Sequence, residues 1–272
     1  MQVVDNLSSL DRAKLGPIAL VPTMGALHEG HAQLIHKART LTDGVLVSIF
    51  VNPLQFENSS DLEEYPRTPE ADIEKAGQSG AEVLWRPKYE EVYPATIALQ
   101  EVGALGSLYE GAARKGHFQA MLTVVKRLFD LVQPRWAVFG EKDFQQLFLV
   151  RKMVKDLGLD IEIIAVPTVR ESNGLAISSR NARLNFDDRR SAQVISRALA
   201  NASQMESIDT MQHALDTTLA GESGFKRDYA VIIDEEDFSL ATADTKAKRV
   251  LIAGWVNGVR LIDNMPMIGL AG

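Results

Sequence analysis

Pro22-Thr23-Met24-Gly25-Ala26-Leu27-His28-Glu29-Gly30-His31 is the stretch on which the fold turns. It follows the apolar run Ile18-Ala19-Leu20-Val21 and precedes a helix-like segment from Ala32 to Leu41. A buried strand, a glycine-containing turn and then a helix make a phosphate site of the kind found in nucleotide-binding folds. The start of such a helix offers free backbone N–H groups and the positive end of its dipole. Gly25 and Gly30 let backbone approach an anion without an intervening Cβ. His28 and His31 can donate hydrogen bonds to phosphate oxygens and titrate near neutral pH. The plainer alternative is a strand–loop–helix connection that happens to carry two surface histidines. Two histidines flanking a glycine directly after a strand favour the nucleotide reading.

The same alternation recurs downstream. Strand-like runs occupy Ile18–Val21, Val45–Val51, Val83–Trp85, Ala137–Phe139 and Ile161–Val166. Between them, Ala32–Leu41, Pro69–Gln78, Leu122–Leu131 and Phe144–Leu157 carry apolar residues at helical spacing. Alternating strand and helix predicts an α/β domain, a parallel sheet with helices on both faces, and ligands beyond the carboxyl ends of the strands. After Ser172-Asn173-Gly174 the character changes. A polar, helix-rich segment runs from Phe186 to about Leu219, followed by β-like runs at Tyr229–Ile233, Arg249–Ala253 and Val259–Ile262. That pattern predicts a small α+β second domain and a boundary near residue 170, dividing the chain into 1–170 and 171–272.

Composition narrows the function. With 46% apolar residues, 272 residues suffice for a large core. A formal net charge of -7 argues against a broad nucleic-acid surface. The absence of cysteine excludes disulfides, cysteine-based zinc sites and a thiol nucleophile. Residues 1–16 carry Asp5, Asp11, Arg12 and Lys14 and lack the apolar stretch of a signal peptide. No run approaches the roughly 20 apolar residues of a membrane span. The expectation is a cytoplasmic protein with no membrane and no nucleic-acid partner.

Each candidate site follows a strand. After the second come Asn52-Pro53-Leu54-Gln55, where Pro53 stops the strand and the amides of Asn52 and Gln55 can point outward, although these residues alone read first as an ordinary turn. After the fourth come Gly140-Glu141-Lys142-Asp143 and then Gln145-Gln146. A lysine opening a helix behind a glycine suits a phosphate, and a neighbouring aspartate suits a ribose hydroxyl. A solvated helix start, with acids favoured by the dipole, fits these residues equally well. After the fifth, Ile177-Ser178-Ser179-Arg180 puts two hydroxyls and a guanidinium in a flexible stretch that could close onto a triphosphate. A polar linker capping the next helix is the other reading. Gly111 and Gly116 have P-loop spacing, but His117-Phe118 stands where Lys-Ser/Thr is required, so a P-loop is rejected. A basic loop with Arg114, Lys115 and His117 could still cover a polyanion. His28 and His31 have no evident third partner for a metal, so no metal ligands are assigned.

These segments, in this order, resemble the pantoate–β-alanine ligase family within the His-x-Gly-His nucleotidyltransferases. The resemblance is carried by Val21 to His31, Phe50 to Phe56, Tyr65 to Thr68, Gly116 to Phe118, Phe139 to Leu147, Pro167 to Glu171, Ser178 to Asn181 and Arg260 to Asn264. It implies a Rossmann-like N-terminal domain, a smaller C-terminal lid domain and a homodimer. It implies ATP with Mg²⁺, adenylation of pantoate with release of pyrophosphate, and attack by β-alanine to give pantothenate and AMP. It also implies roles. Met24, Gly25, Ala26, Leu27, His28, Glu29, Gly30 and His31 would line the ATP site, with His31 in the proton-donor position. Gly140, Glu141, Lys142 and Asp143 would contact ATP, as would Val169, Ile177, Ser178, Ser179 and Arg180. His28, His31, Lys142 and Arg180 would carry the catalytic charge and donor groups. Gln55 and Gln146 would hold pantoate, with Gln55 also near β-alanine. Asn52, Glu110, Arg114 and His117 would support the substrates. Ile177 stands where methionine is usual, and Lys115, Gln119 and Ala120 replace the more usual proline, arginine and glycine. A nucleotidyltransferase that leaves its adenylyl group on the product, and a catalytically silent nucleotide-binding protein, are the competing classes.

Overall fold

The structure, a computed structural model, describes residues 1–56, 62–94 and 96–267. The chain divides into two compact units, Met1–Pro167 and Thr168–Gly272.

The first unit is built on a six-stranded, wholly parallel sheet. Its strands are β1 (Gln2–Val4), β2 (Ile18–Thr23), β3 (Gly44–Ile49), β4 (Val83–Trp85), β5 (Trp136–Gly140) and β6 (Glu162–Val166). Their spatial order is β1-β4-β3-β2-β5-β6. The helices of ten or more residues are α1 (Glu29–Arg39), α2 (Pro69–Gln78), α3 (His117–Val132) and α4 (Phe144–Asp156). Leu34, Ile35 and Ala38 of α1 and Ala76 of α2 share a core with Ala19, Val21, Val45, Val47, Leu84 and Val138 of the strands. Alternation along the strands turns Leu20, Leu46 and Ala137 to the opposite face. There α3 packs on β2, and α4 on β5 and β6. All these strand residues are buried, because a parallel sheet covered on both sides leaves neither face to water.

The sheet order places the ligand crevice. From β2 the chain moves outward to β3 and β4; from β5 it moves the other way, to β6. Neighbouring β2 and β5 therefore form the topological switch point. Along β3, β2 is paired from Ile18 to Thr23. Along β5 its pairing is confined to Ala19↔Trp136 and Leu20↔Ala137. Beyond Leu20 the ladder ends, and Pro22, which has no N–H to contribute, follows. The crevice opens where the two strands stop pairing.

The second unit is a three-stranded antiparallel sheet under two helices. Its strands are β7 (Lys226–Asp234), β8 (Lys248–Val256) and β9 (Val259–Met267), in that order. The helices are α5 (Phe186–Ala202) and α6 (Ile208–Ala220). Asn185 and Asp188 form a reciprocal cap on α5, and Ser207 with Thr210 caps α6. Val194, Ile195, Ala198 and Leu199 of α5 join Met211, Leu215 and Leu219 of α6 over Ile232, Val250, Ile252 and Leu261 of the sheet. The β8–β9 hairpin closes through Asn257-Gly258, both with positive φ, which matches the twist of the flanking strands.

The expected elements are present with shifted ends. The helix read from Ala32 begins at Glu29, the one read from Leu122 begins at His117, and β1 was not expected at all. The single polar segment from Phe186 is two helices, and the strands of the second unit are nine residues each.

Candidate active site

The loop after β2 carries the histidines. Gly25 has φ +85 and Ala26 φ +51, two successive left-handed residues. A Cβ on Gly25 would meet Asp72 Oδ2 at 3.0 Å and Ile49 Cγ2 at 3.1 Å. Left-handed backbone costs a residue such as Ala26 about 1–2 kcal/mol. The compensation comes from α2. Asp72 Oδ2 accepts from the Ala26 N–H at 3.1 Å and Oδ1 accepts from the Leu27 N–H at 2.7 Å. Bonds to a charged group contribute about 1.5–3 kcal/mol each, enough to hold the turn. Met24 is met by Gln55, whose Nε2 lies 3.0 Å from its Sδ.

His28 then caps α1, and its ring stacks on His31 with centroids 4.1 Å apart. The His28 N–H donates to His31 Nδ1 at 3.2 Å. In the neutral His31 ring the proton must therefore sit on Nε2, which makes that nitrogen a donor. Gly30 is required by close approach: a Cβ there would stand 2.9 Å from His28 Cε1. Glu29, at the first position of α1, favours the helix dipole and accepts from Gln33.

Both rings resist protonation. Burial, then the nearby Lys142 ammonium, lowers His28 from 6.5 to about 4. Burial, then His28 itself, lowers His31 from 6.5 to about 3. At neutral pH the site offers two uncharged imidazoles. This has a consequence for stability. Below pH 6.5 the unfolded chain takes up protons at both positions, while the folded chain waits until about 4 and 3. The unfolded state binds more protons in that window, so stability falls as pH falls, by up to about 1.4 kcal/mol per pH unit per ring. Urea titrations between pH 6.5 and 4 should give a shallower dependence for the His28→Gln/His31→Gln double variant. Parallel curves would mean that these rings are not the buried neutral groups described.

Across the switch point, β5 leads into a single 3-10 turn, Glu141–Asp143, and α4 starts at Phe144. Lys142 therefore sits in the 3-10 turn that opens the helical segment behind Gly140. Its side chain is 18% exposed, with Nζ 3.8 Å from Asp143 Oδ1. Gly140 ends the strand with an ordinary φ of -82.

The two adjacent glutamines of α4 separate in role. Gln145 is buried; its Nε2 donates to the Leu105 and Leu108 carbonyls, and its Oε1 accepts from the Glu110 N–H. Gln146 is half-buried, and its amide has no hydrogen-bond partner among the described residues. The expected outward amides of Asn52 and Gln55 are overturned; Gln55 is 8% exposed, with Oε1 bonded to Asn52 and Nε2 against Met24 Sδ. Asn52 is 1% exposed; its Nδ2 donates to Gln55 Oε1 and the Ala120 carbonyl, and its Oδ1 accepts from the Leu54 N–H and the Tyr93 hydroxyl. It orients Gln55 from behind. His117 works similarly. Arg114 Nη1 donates to its Nε2 at 2.9 Å, so its Nδ1–H donates to the Gln55 carbonyl at 3.2 Å. The expected basic loop is thus a buried relay from Arg114 through His117 to Gln55, with Lys115 exposed at its edge. Glu110 is buried beside it.

In the second unit, Val169 and Ile177 face each other across a short hairpin, the Ile177 N–H donating to the Val169 carbonyl. Arg170 pins this hairpin with a two-pronged pair to the buried Asp263, at 2.5 and 3.0 Å. Ser178 caps the turn Ser179–Arg183, its Oγ accepting from the Arg180 N–H. The stretch expected to be flexible is therefore hydrogen-bonded on both sides. The Arg180 guanidinium has no hydrogen bond or ion pair among the described residues.

Sequence reasoning missed Asp72, Tyr93 and Gln145 as supports. Asp72 lies four residues past Thr68, the end of a motif segment that had no assigned purpose. Among the described residues, no group of three or more His, Asp or Glu side chains could hold a metal ion. No helix among them is long and apolar enough to cross a membrane.

Known proteins resemble this chain in sequence and fold. The profile of the pantoate-beta-alanine ligase family matches residues 1–266. The chain is 46% identical to a pantothenate synthetase of Nocardioides sp. (strain ATCC BAA-499 / JS614), over 96% of this chain and 82% of that protein. Its fold is similar to the crystal structure of pantothenate synthetase from Thermus thermophilus, with a TM-score of 0.93, 42% identity and coverage of 98% and 100% of the two chains. It is also similar to pantoate-beta-alanine ligase from Francisella tularensis, solved with beta-gamma ATP and beta-alanine, with a TM-score of 0.79, 34% identity and coverage of 100% and 99%. A match over nearly the whole length, on a fold whose switch point carries the stacked histidine pair and Lys142, shows that the chain belongs to the pantoate–β-alanine ligase family.

Proposed function

We propose that this enzyme joins pantoate to β-alanine in two steps at the β2/β5 switch point. A pantoate carboxylate oxygen forms a bond to the α-phosphorus of ATP. The bond from that phosphorus to the bridging oxygen breaks, and pyrophosphate leaves with the electron pair. The β-alanine nitrogen then attacks the acyl carbon, the bond to AMP breaks, and the nitrogen loses a proton. No covalent enzyme nucleophile is required, in keeping with a chain that has no cysteine.

The observation that carries this reading is the stacked His28–His31 pair with the Lys142 ammonium close enough to depress His28. The first step brings an anionic nucleophile to an anionic phosphate, so donors and cations aimed at the leaving pyrophosphate have the most to contribute. His31 Nε2–H and Lys142 supply them from the first unit. The N–H groups of Ala26 and Leu27 are engaged by Asp72, so the loop presents imidazoles and the first turn of α1 to the phosphates. We assign the second unit the lid role, with Val169, Ile177, Ser178, Ser179 and Arg180 as its nucleotide contacts. A lid suits an acyl adenylate, which water would otherwise hydrolyse. Mg²⁺ would arrive on the triphosphate as part of the substrate, since such ions need only one or two carboxylates beside phosphate oxygens. Asp143 is the exposed carboxylate at the β5 turn. A homodimer in the cytoplasm follows from the family resemblance, and sedimentation velocity checks the assembly.

Gln146 and Gln55 are the proposed pantoate contacts. Replacing Gln146 by alanine leaves pantoate oxygens under-bonded, at about 1–3 kcal/mol. Calorimetric titration should show weaker pantoate binding with ATP binding retained; the opposite pattern would move Gln146 to the nucleotide. The reaction itself is tested by product analysis. AMP should form only when ATP, pantoate and β-alanine are all present. An adenylylated end product with no free AMP would identify a nucleotidyltransferase instead.

A further inference from the structure

The loop that carries the histidines is held from outside itself. Asp72, in the first turn of α2, is 3% exposed. Its two oxygens accept from the backbone of Ala26 and Leu27 and from the Thr68 hydroxyl, the last at 3.0 Å. The next N–H along the chain, that of His28, donates to His31 Nδ1. Three successive N–H groups are thus fixed, two by Asp72 and one by the catalytic candidate itself.

We propose that Asp72 is a positioning residue for adenylation, setting His28 and His31 by clamping the two residues before them. The inference rests on the reading of this loop as the ATP site. A carboxylate that accepts from two neighbouring N–H groups fixes both peptide planes. The left-handed turn at Gly25 and Ala26 is held in this way, with Asp72 Oδ2 directly against it. Without the clamp the turn relaxes toward ordinary backbone, and the His28 cap moves with it. Asp72 touches no reacting atom; it acts through the loop. Its effect belongs to the step that moves pyrophosphate, and the attack of β-alanine on the finished adenylate does not need it.

The test compares the two half-reactions in Asp72→Asn, Asp72→Ala and Thr68→Val. Pyrophosphate release from ATP and pantoate reads the first; consumption of added pantoyl adenylate by β-alanine reads the second. An asparagine side chain can accept from one of the two N–H groups but turns its NH₂ toward the other. Misplacement of reacting groups by about 1 Å costs on the order of 100-fold, so Asp72→Asn should slow the first half-reaction about 10- to 100-fold. The second should stay within about twofold of the unmodified protein. Asp72→Ala should be slower still. Thr68→Val keeps the carboxylate and removes one donor, and should slow the first half-reaction alone by about three- to tenfold. Circular dichroism identifies which variants fold, and if Asp72→Asn does not, Thr68→Val decides. An unchanged first half-reaction in the deciding variant, or equal slowing of both halves, overturns the positioning role. An unmodified protein that releases no pyrophosphate from ATP and pantoate overturns the adenylation reading, and the role of Asp72 falls with it.

Discussion

His31→Ala is expected to slow formation of the acyl adenylate by about 100- to 10,000-fold, the usual range for a positioned proton donor. The argument starts from the hydrogen bond between the His28 N–H and His31 Nδ1, which leaves Nε2 as the protonated nitrogen of the neutral ring. His31 is held down to about 3 by burial and by His28, so at neutral pH it brings an N–H and no charge. The bond at Nδ1 keeps this tautomer, because a second proton could go only on the nitrogen that accepts from the His28 N–H. As negative charge builds on the departing pyrophosphate, the neutral ring can hold it by an Nε2–H hydrogen bond that tightens. That bond is not needed when β-alanine displaces AMP, since pyrophosphate has gone. Single-turnover measurement should therefore show a large loss in the first half-reaction and a small one in the second. His31→Gln, which restores an N–H without a titratable group, should recover part of the loss. Equal slowing of both halves would leave His31 a structural partner of the His28 backbone and nothing more.

The α/β architecture was legible because buried parallel strands leave nearly continuous apolar runs such as Ile18 to Val21 and Val45 to Val51. Several motifs, such as Met24 to His31 and Gly140 to Asp143, begin where such a run stops, which is why the candidate site was read there. The ends of elements were less legible. Helix α1 begins three residues before its apolar pattern because His28, not a serine or aspartate, occupies the cap. Strand β1 is three residues long and exists through its pairing with β4, a contact between residues more than 80 apart that no local pattern announces. The nine-residue strands of the second unit were shortened in the reading because β7 begins with exposed Lys226, Arg227 and Asp228. The Asn257-Gly258 dipeptide was the available signal for that hairpin.

Within the site, residue types were legible and their partners were not. Gln145 and Gln146 are chemically identical neighbours, yet one is consumed by the 105–110 loop and the other is left without a protein partner among the described residues. A helix turns about 100° per residue, so adjacent positions face different surroundings. Asn52 follows a strand and His117 lies in a basic loop, and the family resemblance implied that both support the substrates. Burial and four internal bonds make Asn52 a support for Gln55, and His117 is tied between Arg114 and Gln55. Asp72 was invisible for the converse reason. Its partners are backbone groups of a distant loop, and backbone N–H groups leave no trace in a sequence.

Lys142→Ala is expected to cost about 2.7–4 kcal/mol in the adenylation transition state, or roughly 100- to 1000-fold in rate. Lys142 follows β5 at the switch point, largely shielded from solvent, with Asp143 as a distant partner at 3.8 Å. Its ammonium is near enough to the histidine pair to lower both rings. On the proposed reading, that charge faces the departing pyrophosphate, and it is worth most when the leaving oxygens carry most. The loss should therefore appear in kcat at saturating ATP and pantoate, with a smaller effect on ATP affinity. A second readout does not depend on turnover. Removing the ammonium takes away one cause of the low His28 value, so that ring should titrate above about 4 in the variant, as followed by its imidazole proton resonances. His31, for which Lys142 is the last and smallest cause, should move less. Near-normal turnover together with an unmoved His28 would show that Lys142 lies away from both the histidines and the leaving group. Near-normal turnover with a raised His28 would keep the geometry and withdraw Lys142 from the chemistry, leaving the leaving group to the imidazoles.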